Sequence, residues 1–153
     1  MGEEEAVSAE DNKALVRRFV DEVQSRGNTD LINEICSVEF VNHSAPPGLP
    51  ADREGIKIVT AMFRRAFPDS YFTVEDMIAE ADKVATRKTF HGTHEGEFMD
   101  IPPSGLRVTM GLIDVVRITD GQVMEHWSVG DNLGMMRQLG VIPQRRESAE
   151  PGQ

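Results

Sequence analysis

The sequence predicts an α+β domain with helices covering one face of a curved antiparallel sheet, and three observations predict it. Helical periodicity dominates the chain as far as Phe67, and strand alternation dominates from Tyr71 onward. Asp120-Gly121 joins two of those strands as a tight hairpin, because both residues tolerate positive φ. With 153 residues, one domain with a proper core is expected.

Leu15, Val16, Phe19, Val20 and Val23 follow the helical repeat from a cap at Ser8 or Asp11 until Arg26-Gly27 ends it. Thr29 or Asp30 starts a shorter helix that buries Leu31, Ile32 and Ile35 and leads into a strand over 38–43. The loop over 44–50 contains Pro46, Pro47 and Pro50, which lack the amide donor a ladder needs, and it is a candidate lid. A third helix over 52–67 buries Ile56, Val59, Met62, Phe63 and Ala66 on one side and closes at Pro68-Asp69. Strands follow over 71–80 and 83–91, then an irregular stretch over 92–105 and strands over 106–118 and 123–129. In the irregular stretch Phe98, Met99 and Ile101 are large apolar groups that need cover, from a pocket mouth or a partner subunit. A short helix after Asp131 ends at Gly140. The single domain spans 9–143, between a disordered acidic tail at 1–8 and a disordered polar tail at 144–153.

An apolar fraction of 39% and a charged fraction of 27% are ordinary for a soluble globular protein. The formal charge of -10 argues against nucleic acid as a partner, since phosphate backbones need clustered lysine and arginine. No apolar run approaches membrane-spanning length and the first residues do not read as a signal peptide, so a cytoplasmic location is expected. Cys36 has no second cysteine to pair with and reads as a small buried apolar residue.

Strand alternation places Trp127, Val129 and Asp131 on one face, which brings an indole, an aliphatic group and a carboxyl together. Burial there would raise the Asp131 pKa and make it an acid or base near neutral pH. The competing role of Asp131 is to cap the following helix, and that of Trp127 is plain core. His126 then faces the other side of the sheet, at the surface or a dimer interface. His43, before the proline loop, is placed to hydrogen-bond a carbonyl or trade protons with Asp131, or is simply structural. Arg87 pairs with a buried acid, steadies an enolate oxygen, or lies on a solvated sheet face. His91, His94, Glu95 and Glu97 raise a metal site, but extended residues three apart point to opposite faces, so no metal is expected and His94 is read as part of the loop over the cavity.

Several segments together resemble the SnoaL-like polyketide cyclases and related ester cyclase-like proteins of the nuclear transport factor 2-like superfamily, which also holds ketosteroid isomerases. They are residues 12–23, Phe40-Val41-Asn42-His43 with Pro46-Pro47-Gly48, Ala66-Phe67-Pro68-Asp69, residues 92–98, Ile101-Pro102-Pro103-Ser104-Gly105, Asp120-Gly121, and Glu125-His126-Trp127 with Asp131. The resemblance spans about residues 12–143. It implies a cone-shaped, cystatin-like α+β barrel with a cavity between sheet and helices, and a homodimer formed through the sheet. It also implies cofactor-free aldol ring closure on an apolar carbonyl compound. The family's aspartate near the chain end matches Asp131. The expected site is therefore Asp131 and His43 as catalytic groups, with Arg87, His94, Phe98, Met99 and Trp127 around the substrate. The rivals are a non-catalytic dimeric module that binds a hydrophobic small molecule, and an epoxide-opening hydrolase, which would need more polar groups to hold a water.

Overall fold

The computed structural model describes residues 2–143, with side chains from Ser8 onward. Helix α1 (Gly2–Arg18) runs directly into a wider π-helical segment (Phe19–Ser25). It starts ahead of both expected caps, so residues 2–8 of the stretch expected as a disordered acidic tail are helical, in keeping with the high helix propensity of glutamate and alanine. The tail expected at 144–153 lies outside the described residues. Gly27 closes the helical run with φ of 75°, and its amide bonds the Val23 carbonyl while Asn28 bonds that of Glu22.

A 3-10 turn (Thr29–Leu31) and the one-turn helix α2 (Ile32–Ile35) lead into strand β1 (Cys36–Asn42). Helix α3 (Arg53–Ala66) is capped by Asp52, whose carboxylate accepts the Gly55 amide at 3.2 Å. A Cβ on Gly55 would stand 1.8 Å from the Pro50 carbonyl oxygen, so only glycine lets the proline loop fold tightly onto the first turn of α3. Strands β2 (Tyr71–Glu80), β3 (Lys83–Thr93), β4 (Arg107–Thr119) and β5 (Gln122–Gly130) form the expected antiparallel meander, and α4 (Asn132–Gln138) follows. Asp120 and Gly121 take φ of 52° and 75° at the β4–β5 turn, as the hairpin reading requires. Strand β1 adds to the sheet parallel to β5, giving the order β1-β5-β4-β3-β2.

A register shift between Val74 and Asp76 changes which β2 residues face inward, from Phe72 and Val74 to Met77 and Ala79. The helices lie in the concavity of this sheet. Two separate apolar clusters hold the layers together: one around Val20, Val23, Ile32, Ile35, Val84 and Ile118, the other around Phe67, Phe90, Phe98, Val108, Met135 and Leu139. Each fully buried side chain of this kind contributes roughly 1.5–3 kcal/mol. The inward row of β3 reads Val84, Thr86, Lys88, Phe90, and that of β4 reads Ile118, Val116, Asp114, Leu112, Met110. Both rows are apolar at the ends, where they join the clusters, and polar in the middle. No helix among the described residues is long and apolar enough to cross a membrane.

Candidate active site

Between the two clusters lies a cavity of about 300 Å³, at the small end of the range for small-molecule sites. Phe19 and Val20 from the π-helical segment, Phe40 from β1, Val59 and Phe63 from α3 and Phe72 from β2 make its greasy wall. Ser44, Pro46 and Asn132 line it while exposed, which marks the opening beside the proline loop and the start of α4.

The polar part is one connected network. Lys88, 2% exposed, is ion-paired with Asp114 Oδ2, and its ammonium also donates to Gln24 Oε1 at 2.6 Å. His126 Nε2 lies 3.3 Å from Asp114 Oδ1. On the other side of the imidazole, Nδ1 is 2.8 Å from Asn42 Oδ1, an oxygen that also accepts the Ser44 amide at 3.0 Å. Because Asn42 Oδ1 accepts, His126 Nδ1 must carry a hydrogen. Burial pushes the Asp114 carboxyl up, but Lys88 and His126 outweigh it and hold it well below the usual carboxylate range. The site thus presents an anionic carboxylate, an ammonium and a proton-carrying imidazole inside an apolar hollow. Cys36 also lines the cavity, and burial pushes its thiol up to about 12 against the smaller opposing pull of Arg53, so it stays a neutral thiol.

The residues expected at the site lie mostly elsewhere. Asp131 is exposed, stands outside the cavity lining, and accepts the Gly134 amide at 2.9 Å as the N-cap of α4. The grouping of Trp127, Val129 and Asp131 holds, but the group faces outward: Val129 is 78% exposed, while His126, Ser128 and Gly130 line the cavity. His43 stacks on Trp127 with ring centroids 4.8 Å apart and meets Glu125 at 3.1 Å, on the same outer side. Arg87 pairs with Asp76 at 3.1 Å on that face, in exposed surroundings. His94 is fully buried outside the cavity lining; its Nδ1 accepts the Ser104 amide at 3.3 Å and tethers the loop after β3. His91 hydrogen-bonds Thr73 at 2.9 Å and stacks on Tyr71, away from His94. Phe98 packs into the aromatic cluster beside Phe63 and Phe67, one layer behind the cavity wall. Met99 is turned out by a tight turn in which it and Asp100 take φ of 49° and 64°, closed by paired hydrogen bonds between Phe98 and Ile101.

The residues at the polar end that the sequence reading passed over are Gln24, Asn42, Thr86, Lys88 and Asp114, and His126 it placed on the wrong side. The signal lay in β3 and β4: Lys88 and Asp114 fall in phase with Val84, Phe90, Val116 and Ile118, so each charge shares its strand's buried face.

A family model described as SnoaL-like polyketide cyclase matches residues 14–139. Aklanonic acid methyl ester cyclase DnrD of Streptomyces peucetius is 31% identical over 129 residues, covering 82% of this chain and 88% of that protein. Among solved structures, TsrD from Streptomyces laurentii superimposes with a TM-score of 0.79 at 30% identity, covering 86% of this chain and 96% of that one. Wild-type IdmH from Streptomyces antibioticus gives 0.74 at 35% identity, covering 84% and 98%.

Proposed function

Because the chain belongs to the SnoaL-like polyketide cyclase family, we propose that it closes a ring in an apolar carbonyl compound by cofactor-independent aldol chemistry, with Asp114 and His126 as the proton-transfer pair. The observation that carries this reading is the Lys88–Asp114–His126 network in the wall of an otherwise apolar cavity. A buried ion pair seldom stabilises a fold more than packed apolar side chains would, and the same two strands use such side chains above and below it. Its presence in the cavity wall therefore fits chemistry better than architecture.

Asp114 takes the proton from a carbon next to a carbonyl, the resulting enolate carbon attacks a second carbonyl in the same molecule, and the new alkoxide recovers a proton from the Asp114–His126 pair. A carboxylate stabilised by Lys88 and His126 is a weaker base than a free one, which favours an acidic C–H, one flanked by two carbonyl groups. Such transfer contributes on the order of 100- to 10,000-fold, and the cavity walls supply the remainder by holding the chain folded for attack. The methyl ester of a polyketide acid, the type of compound in the DnrD name, is the substrate class to test first.

The outer face of the central strands carries Ile113, Val115, Trp127 and Val129 as two cross-strand pairs, flanked by the Arg87–Asp76 and Arg117–Glu125 ion pairs. An apolar patch with a charged rim suits a second copy meeting it about a two-fold axis, so the working unit in this reading is a homodimer through the sheet.

The test is to screen polyketide methyl esters for turnover and to compare Asp114→Asn with the parent protein. Loss of turnover by about 100-fold or more with ligand-induced thermal stabilisation retained supports the reading. Full activity in the variant would overturn it, and stabilisation without turnover in the parent protein would favour a binding module.

A further inference from the structure

Thr86 stands beside the carboxylate with its hydroxyl unspent. Its side chain lines the cavity, it is 1% exposed, and Oγ1 has no hydrogen-bond partner among the described residues. The β3–β4 register sets Thr86 directly across from Asp114 and two residues from Lys88 on the same face. The neighbouring polar groups are committed: Asp114 to Lys88 and His126, Lys88 also to Gln24, and His126 also to Asn42. Valine would fill the same space on a strand without burying a hydroxyl that no protein group satisfies, so packing alone does not call for threonine here.

We propose that the Thr86 hydroxyl donates a hydrogen bond to the substrate carbonyl oxygen that becomes the enolate oxygen, so that Thr86 selects substrates with a keto oxygen next to the C–H attacked by Asp114. This rests on the reading of Asp114 as the proton acceptor. As the C–H bond breaks, its proton goes to Asp114 and its electron pair forms the enolate C=C, while the carbonyl π pair moves onto oxygen. Thr86 keeps its own proton throughout and stabilises that oxygen as charge builds on it. When the enolate carbon bonds to the second carbonyl carbon, the first carbonyl is restored, and the second carbonyl oxygen takes the proton from the Asp114–His126 pair. Charge on the first oxygen is greatest at the enolate, so the hydrogen bond is strongest there and acts on kcat more than on KM.

Thr86→Val and Thr86→Ser are compared with the parent protein for thermal stability, for turnover of a polyketide methyl ester, and for binding of substituted naphthols of decreasing pKa, whose oxygen imitates the enolate. Thr86→Val is expected to lose about 100-fold in kcat with KM within a few-fold, at unchanged or higher Tm, whereas Thr86→Ser keeps most of the rate. The parent protein should bind the more acidic naphthols more tightly, and Thr86→Val should flatten that trend. A valine variant with the parent's kcat, a trend it leaves intact, or no affinity of the parent for the naphthols would overturn the proposal. Asp114→Asn, run alongside, separates the two ideas. If it remains fully active the proton-transfer reading fails, and if it is inactive while Thr86→Val matches the parent only the role of Thr86 fails.

Discussion

The two faces of β5 differ by one residue in phase and by everything in environment. His126, Ser128 and Gly130 look into the cavity, and His126 Nε2 lies 3.3 Å from Asp114 Oδ1. Trp127 and Val129 look out from the sheet, followed by Asp131, which caps the start of α4. Alternation along a single strand says which residues keep company; it does not say which company is inside. Sidedness comes from the neighbours across the ladder, where Val116 pairs with His126 and Asp114 with Ser128, all on the concave face.

The sharpest way to press that contrast is through stability. Lys88→Met leaves the Asp114 carboxylate buried without its ammonium and should cost roughly 3–5 kcal/mol in denaturant unfolding. Arg87→Met, one residue away on the outer face, should leave the unfolding midpoint nearly unchanged. A combined Lys88→Met, Asp114→Leu variant should recover most of the lost stability while remaining inactive.

The acid limb of the stability curve carries the same information. Asp114 has a folded pKa below its ordinary 3.8, so its stabilising contribution is present above that value and is lost as pH falls through the depressed folded value. Stability of the parent protein should therefore fall from about pH 4 downward. Asp114→Asn should show a shallower slope over that window, measured by urea unfolding at a series of pH values; an identical slope would contradict the charged, paired state of Asp114.

On the outer face the expected effect is on assembly. Val129→Asp puts a carboxylate into the apolar patch opposite Ile113 and, for the homodimer proposed above, should halve the mass in solution, read by light scattering, without unfolding the chain; a parent protein of monomer mass would contradict that assembly. The smallest effect belongs to the residue the sequence reading favoured: Asp131→Ala removes one helix cap, worth about 1 kcal/mol, and should leave turnover unaltered.

Much of the architecture was legible because its signals are local. The helical stripe of α3, the Asp120-Gly121 turn and the alternation of β2 to β5 each sit within one element. The parallel docking of β1 against β5 was not, since nothing near Val38 or Phe40 encodes a partner more than 80 residues away. The site was read less well for the same reason. Asp114 and His126 lie on different strands, Asn42 on a third and Gln24 on a helix, and they meet only through sheet register and helix docking. Asp131 attracted notice because it follows the lone tryptophan, yet capping is what an aspartate just before a helix does most readily. The in-phase charges of β3 and β4 were the clue that local reading had within reach.

Proton exchange into deuterated water at the activated carbon of a bound 1,3-dicarbonyl methyl ester, followed by NMR, isolates the first chemical step from ring closure. The parent protein and Asp131→Asn should both catalyse loss of that proton signal, and Asp114→Asn should not. Exchange that survives in Asp114→Asn but disappears in Asp131→Asn would place the chemistry on the outer side of β5 and contradict the inward-facing site.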